Sequence, residues 1–278
     1  MESKIALIPA GKIEYTLQGQ GPVILVCHGT SRDCRSEGMD RRVLEAGFSA
    51  LVPSRPGYGR TPLNSGRTVE QAAAALVGLL DCLNIQQCRV LAISGGGPTG
   101  ATLAAIYPDR VKALALAAAI TRTYDRASEP NYASQKGFYG PLHNLVWGML
   151  GLMSRLNPRQ MARTTLSLFS LHDPDDALRQ LSEEDIRTIC RFYQGHSSRQ
   201  GALNDLQHAL DESLLPHIQA PTLVIHSRED KSVPFRHAEW SLGHIPRGEL
   251  CESGVTGHFY FVGPDTERVN RRMAEWFG

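Results

Sequence analysis

A serine in the segment LAISGGGPTG (residues 91–100) has neighbours that suit two different chemistries. Three glycines of this segment follow the spacing G-x-G-x-x-G, which is typical of loops that hold the pyrophosphate of a dinucleotide. Ser94 and the two glycines after it match the second half of G-x-S-x-G, a turn that presents a nucleophilic serine between a strand and a helix. Ala92 stands where that motif has its first glycine, which is the smallest departure possible.

The dinucleotide interpretation makes demands that the surrounding sequence does not meet. An Asp or Glu should end the next strand, about 20 residues further on, to hold the ribose hydroxyls. Here the next strand-like segment is VKALALAAAI (residues 111–120), and the first acid beyond it is Asp125. The loop would also follow the third strand-like segment of the chain rather than the first. We therefore expect no dinucleotide, and no other cofactor.

The nucleophile interpretation requires a strand, a strained turn with small neighbours, and a helix. VLAI precedes Ser94 as a strand-like run, and GPTGATLAAIY follows it with helical character. Gly95 directly follows the serine, so its N–H can point at a developing oxyanion from the start of the helix. On this stretch alone, a glycine-rich turn whose serine only caps the helix remains an equal alternative.

An acid and a histidine follow the serine in the order that such a nucleophile needs. Asp230 comes just after the apolar run PTLVIHS, and His258 lies in SGVTGHFYF after the last strand-like segment. In this chemistry the serine attacks a carbonyl carbon, the histidine takes the serine proton, and the acid orients the histidine. Glu229 is an alternative acid beside Asp230, and Asp125 is a second alternative on another loop.

The elements that must position these residues alternate as in a parallel sheet covered by helices. Four short apolar runs in the first half of the chain have the continuous hydrophobicity of strands buried on both faces: residues 22–27, 48–53, 88–93 and 111–119. Residues 121–215 contain no such run and favour helices. The strand pattern resumes at 221–227 and 248–253, before a terminal helix. We predict a core formed by residues 1–120 and 216–278, with a helical cap at 121–215.

Composition disfavours several classes of partner. Lys and Arg number 29 against 28 Asp and Glu, and the sequence has no basic block, which argues against nucleic acid. No apolar run approaches the ~18 residues that span a bilayer, and the first residues lack the apolar centre of a signal peptide. The six cysteines have no C-x-x-C spacing and the histidines no H-x-x-x-H or H-E-x-x-H spacing. We expect a reduced, cytoplasmic protein without a metal site, a nucleic-acid partner or a membrane contact; the oligomeric state stays open.

Several motifs together resemble the α/β-hydrolase superfamily, in its cap-bearing branch with a serine nucleophile. They are HGT, SRPGYGRT (54–61), AISGGGP, YPDRVKALAL, PTLVIHSREDKSVP and GHF, and the resemblance covers about residues 20–120 and 216–278. It implies an α/β fold with a mostly parallel central sheet covered by helices and a helical cap inserted after the sixth strand. It also implies Ser94 as nucleophile, His258 as base and Asp230 as orienting acid. The backbone N–H groups of Thr30 and Gly95 would form the oxyanion hole.

The activity that this resemblance implies is hydrolysis of a small carboxylic ester, lactone or thioester through an acyl-enzyme, as in carboxylesterases. The alternatives are a C–C bond hydrolase, a cofactor-free haloperoxidase, or a hydrolase-fold protein that binds a small molecule with little turnover. C–C hydrolases usually carry a longer glycine-rich run after HG than HGTSRDCR does. A serine rather than an aspartate at the turn argues against haloalkane dehalogenases and epoxide hydrolases. Four aromatic residues are candidates for contact with an apolar substrate: Tyr124, Phe138, Trp147 and Phe259.

Overall fold

The computed structural model of the protein describes residues 2–36, 41–123, 138–195 and 197–278. Its strands form one eight-stranded sheet in the order β1-β2-β4-β3-β5-β6-β7-β8. The strands are β1 (Lys4–Ile8), β2 (Gly11–Gln18), β3 (Val23–Cys27), β4 (Ser49–Pro53), β5 (Cys88–Ile93), β6 (Val111–Ala117), β7 (Thr222–Ser227) and β8 (Gly248–Ser253). The described helices are α1 (Arg41–Glu45), α2 (Val69–Cys82), α3 (Gly97–Ile106), α4 (His143–Leu156), α5 (Pro158–Phe169), α6 (Pro174–Arg179), α7 (Glu183–Gln194), α8 (Arg199–Asp205), α9 (Arg236–His244) and α10 (Thr266–Phe277).

Strands β3 to β8 run parallel to one another, whereas β2 pairs antiparallel with both β1 and β4. This confirms the predicted mostly parallel sheet. Their apolar runs are continuous because helices cover both faces of the sheet. The helices expected between these strands also form. For example, Thr68 precedes the first residue of α2, and the side chains of Thr68 and Gln71 cap each other's backbone N–H groups. The fold class predicted from the sequence is therefore confirmed.

The two faces of the sheet bury separate hydrophobic clusters. Leu76 and Leu79 of α2 pack with α3 on one face. Val269 and Phe277 of α10 pack on the other face, where Val43 of α1 joins them. Packing of helices on both faces fixes the position of the sheet, and the strands in turn position the loops at its carboxyl edge.

Helices α4 to α8 follow the sixth strand, where the resemblance places a cap, and we call them the cap helices. The sequence around Met149 and Leu152 repeats its apolar residues at helical spacing, and α4 confirms a helix there, but both side chains are more than half exposed. Leu178 and Ile186 belong to different helices, because Ser182 caps the start of α7 between them. The division into residues 1–120 and 216–278 against 121–215 stays a prediction, since residues 124–137 lie outside the described part.

Two further properties of the described residues concern membrane-spanning helices and cysteines. No helix among them is both long and apolar enough to cross a bilayer. All six cysteines carry free thiols, and five of these side chains are buried. Burial is what is expected of cysteines that act as small hydrophobic residues.

Candidate active site

Ser94 lies on the tight turn that joins β5 to α3. Its φ angle is 49°, in the left-handed region that residues other than glycine rarely adopt. The carbonyl oxygen of Ser94 accepts a hydrogen bond from the Ile120 N–H at 3.1 Å, which ties the turn to the end of the neighbouring strand. The serine side chain is half-buried and lines a cavity. Such a strained serine at the carboxyl end of a parallel strand is the local geometry that the motif predicts.

The glycines of this segment allow close packing around the serine. A Cβ atom on Gly100 would collide with the Cβ of Ala92, so α3 rests directly on β5. A Cβ atom on Gly95 would collide with Oγ1 of Thr30, on the loop that follows β3. Neither residue can carry a side chain without moving its neighbours. The glycines therefore allow Ser94 to lie between α3 and the loop that carries Thr30.

The structure brings Ser94, His258 and Asp230 together from three separate loops. His258 Nε2 lies 3.0 Å from Ser94 Oγ, and His258 Nδ1 lies 2.8 Å from Asp230 Oδ2. The Asp230 side chain is fully buried, and that of His258 is 13% exposed. The order and roles predicted from the sequence require these two contacts, since the acid must hold one ring nitrogen while the other faces the hydroxyl.

Backbone donors fix the Asp230 carboxylate on its loop after β7. Its second oxygen, Oδ1, accepts the N–H groups of Ser232 and Val233, each at 2.8 Å. His226 supports the same loop, because its Nε2 lies 2.8 Å from the carbonyl oxygen of Val233. Burial lowers the pKa of His226, so this ring stays neutral and donates to that carbonyl. His226 thus holds the loop that carries Asp230.

The structure describes Glu229, one of the two alternative acids, but not Asp125. Glu229 is half-buried, and none of the hydrogen bonds and ion pairs of the described residues joins its side chain to His258. Asp125 lies outside the described residues. The contact between Asp230 and His258 thus supports Asp230 as the orienting acid. The catalytic role of Asp230 remains a prediction.

One residue of the cap contacts both the acid loop and the histidine loop. The carbonyl oxygen of Phe169, at the end of α5, accepts the N–H groups of His258 and Lys231 at 3.1 and 3.3 Å. The Phe169 ring lies 5.8 Å from the His258 ring, with 26° between their planes. The end of α5 therefore helps to orient the histidine, a role that an isolated phenylalanine in the sequence does not reveal.

The amides of Thr30 and Gly95 lie beside each other next to the serine. The Thr30 nitrogen is 3.4 Å from the point that a Cβ atom on Gly95 would occupy, and a Cβ on Gly29 would lie 3.3 Å from the Cβ of Ser94. Gly95 is in the first turn of a helix, where backbone N–H groups have no partner within the helix. These positions suit two donors for a developing oxyanion.

A buried carboxylate from the cap holds the loop that carries Thr30. Asp205, the last residue of α8, accepts hydrogen bonds from Arg55 Nη1 and Nη2 at 2.7 and 2.6 Å. Its Oδ2 also accepts from the hydroxyl groups of Tyr58 and Thr30, at 2.6 and 2.9 Å. Arg55 Nε in turn donates to the carbonyl oxygen of His28 at 2.8 Å. Burial works against ionisation of Asp205, but the Arg55 guanidinium outweighs it and lowers the pKa of that carboxyl group.

The sequence predicts that Arg55 and Tyr58 stabilise a turn rather than bind substrate, and their contacts agree with this. Asp205 was not predicted, because GALNDLQHAL contains no motif. The available signal was indirect: an arginine in an apolar core needs a buried acid as partner. The contact joins the cap to the loop that presents the Thr30 amide.

We expect Asp205→Asn to destabilise the fold by about 3–5 kcal/mol, because it leaves the Arg55 charge buried without a counter-ion. Denaturant unfolding followed by circular dichroism measures the change. Asp175→Asn is the matched control, since Asp175 also binds an arginine through both oxygens but on the exposed surface of the cap. Its unfolding midpoint should stay close to that of the wild type. Similar midpoints for the two variants would contradict the role given to Asp205.

A cavity of about 590 Å³ opens from Ser94 and His258 toward the cap helices. Of the four predicted substrate contacts, Phe138, Trp147 and Phe259 line it, whereas Tyr124 lies outside the described residues. Further aromatic residues of its wall are Tyr139, Phe169, Phe192 and Tyr193. A mostly apolar chamber with a nucleophile at its base suits a small organic substrate.

Comparison with known proteins identifies the family of this protein. The family model described as alpha/beta hydrolase fold matches residues 22–264, and the chain belongs to this family of hydrolases. A Bacillus subtilis protein named uncharacterized hydrolase YcgS is 33% identical over 258 residues, covering 92% of this chain and 91% of that protein. A 2-hydroxymuconate semialdehyde hydrolase of Pseudomonas putida is 27% identical, covering 87% of this chain and 82% of its own.

A solved structure extends the likeness to the whole fold. An alpha/beta hydrolase fold protein from Nakamurella multipartita superposes with a TM-score of 0.85 at 28% identity, covering 99% of each chain. The cap helices are thus included in the match. The resemblance inferred from the sequence motifs is confirmed at the level of the family and the fold.

Proposed function

We propose that the protein is a serine hydrolase that cleaves a small carboxylic ester, lactone or thioester through an acyl-enzyme intermediate. The observation that carries the proposal is the hydrogen-bonded chain from Asp230 through His258 to Ser94, with the serine on a strained turn. An aspartate, a histidine and a serine in this arrangement raise the nucleophilicity of the hydroxyl. The family supports hydrolysis in general, and the choice of ester rests on this site.

In the first half of the reaction, Ser94 Oγ forms a bond to the substrate carbonyl carbon while His258 Nε2 takes the hydroxyl proton. Asp230 holds the protonated ring through the Nδ1–H. The carbonyl oxygen gains the negative charge, and the N–H groups of Thr30 and Gly95 stabilise it. His258 then gives its proton to the leaving alcohol or thiol as the bond to the carbonyl carbon breaks.

In the second half, water attacks the acyl group on Ser94 and His258 takes the proton of that water. The same oxyanion donors stabilise the second tetrahedral intermediate. The carboxylic acid leaves as the bond to Ser94 Oγ breaks and the proton returns to the serine. Ser94, His258 and Thr30 line the cavity, whose wall is mostly apolar, so we propose a substrate with a small, largely apolar acyl group.

A second candidate, C–C bond hydrolysis, is favoured by the likeness to the Pseudomonas putida semialdehyde hydrolase over 87% of the chain. A panel with 4-nitrophenyl esters, an aryl lactone, a thioester and a vinylogous diketone separates the candidates by their kcat/KM. The proposal predicts that esters, the lactone or the thioester are the best substrates and that Ser94→Ala abolishes their turnover. A diketone preferred over all of these would favour C–C cleavage. No turnover of any substrate would favour a binding protein.

A further inference from the structure

Arg32 places a positive charge on the wall of the cavity. It follows Thr30 by two residues, and Ser31 between them adopts a left-handed φ of 68°. The guanidinium carbon of Arg32 lies 5.0 Å from the centroid of the Phe192 ring on α7, and both residues line the cavity. Arg32 is half-buried. The Arg32 cation thus packs on the Phe192 ring, and in the chain it lies two residues after Thr30 of the proposed oxyanion hole.

None of the ion pairs of the described residues includes Arg32, although the adjacent Asp33 attracts its charge. The neighbouring Asp33 instead binds Arg35, with 2.7 Å between Oδ2 and Nη2. Arg191, a second arginine of the cavity wall, binds Glu184 at 2.8 Å. Burial lowers the pKa of Arg32 to about 10, so the side chain remains charged at neutral pH. A partly desolvated charge without a partner is costly to the fold, and an anion from a ligand would remove that cost.

We propose that Arg32 binds a carboxylate of the substrate, which makes the substrate a monoanion with its scissile carbonyl at the other end of the molecule. This inference rests on the hydrolase function proposed above and specifies the substrate class for it. A guanidinium offers a planar pair of donors that matches a carboxylate. Glu184 binds both Arg191 and Arg187, so the charge of Arg191 is already engaged and Arg32 is the arginine of this wall that a ligand carboxylate would meet.

The wall between Arg32 and the catalytic histidine sets the shape of the substrate. The Phe192 ring lies 6.2 Å from that of Phe169, which in turn lies 5.8 Å from the His258 ring. Contacts thus run from the Arg32 guanidinium to the Phe192 ring, then to the Phe169 ring and the His258 ring. An apolar spacer of several carbon atoms would lie along these rings. Half-esters of linear dicarboxylic acids have this combination of groups.

The test is calorimetric binding to Ser94→Ala, which keeps the ligands intact. The probes are the monomethyl esters of the linear dicarboxylic acids from succinate to suberate, each compared with its dimethyl ester. We expect the best monomethyl ester to bind at least about tenfold more tightly than its dimethyl partner, as a charge-assisted contact provides. Arg32→Gln in the same background should abolish this preference, and Arg32→Lys should keep part of it.

Arg187→Gln serves as the matched control, because Arg187 lies on the same helix as Phe192 but points to solvent and binds Glu184. Arg187 does not itself line the cavity, and Glu184 keeps its contact with Arg191 when Arg187 is replaced, so the preference should persist. Equal affinities of the two ester types, no binding of any monomethyl ester, or a preference that survives in Arg32→Gln would each overturn the proposal. Turnover plays no part in this assay, so its outcome is separate from that of the ester panel.

Discussion

Ser94→Ala should lower kcat for the best ester substrate on the order of 10⁶-fold, as loss of the nucleophile does in serine hydrolases of this kind. His258→Ala should lower it by a similar factor, because the hydroxyl at 3.0 Å from Nε2 then has no base. The double variant should be no slower than either single one, since the two residues act as a unit. Steady-state kinetics of the three variants measures this.

The two substitutions should leave the fold intact. The backbone contact between residue 94 and Ile120 does not involve the serine side chain, and the His258 ring is partly exposed rather than part of the deep core. Circular dichroism spectra and unfolding midpoints near those of the wild type provide the control. Ester turnover within tenfold of the wild type in folded Ser94→Ala would contradict the proposed acyl-enzyme route.

Asp230→Asn should lower kcat on the order of 10⁴-fold while changing the fold little. The amide oxygen of the new side chain can still accept the two backbone N–H groups that Asp230 Oδ1 accepts, so the amide nitrogen would face His258 Nδ1. That nitrogen donates rather than accepts, and it would force the ring into the tautomer with its proton on Nε2. The histidine would then offer no lone pair to the serine hydroxyl.

Two carboxylates provide the controls for this prediction. Glu229→Gln alters the adjacent acid, which has no described contact with His258, and its kcat should stay near that of the wild type. Asp125→Asn alters the alternative acid, which follows β6 in the sequence. If Asp230→Asn retained a near-normal rate and Asp125→Asn were inactive, the orienting acid would belong to the other loop.

Local sequence predicted much of the core because the strands there are buried on both faces. The six parallel strands appear as short apolar runs, and the turn at Ser94 appears as small residues around a serine. β1 and β2 were not predicted, since their burial is mixed and β2 pairs with β4 rather than with β3, the next strand along the chain. Helix α9 was also missed, because its sequence is largely polar. Pairing across the sheet decides such strands more than their own composition does.

The residues of the candidate site also fall into two groups, those that the sequence predicts and those that only the structure reveals. Ser94, Asp230 and His258 could be proposed from motifs, because each follows a recognisable strand in a required order. Asp205 and Arg32 could not, because their importance comes from what lies opposite them in space. Asp205 gains its role by meeting Arg55 across the boundary between cap and core. Arg32 stands out only once its neighbours are seen to pair with other residues.

The intact mass of the protein after treatment with a fluorophosphonate shows whether Ser94 is an activated nucleophile. An activated serine displaces fluoride and forms a bond between Oγ and phosphorus, so we expect one adduct on the wild type and none on Ser94→Ala. Fragmentation of the labelled peptide should place the added mass on Ser94. An unlabelled but folded wild type, or an adduct that persists in Ser94→Ala, would contradict the claim that Ser94 is the activated nucleophile.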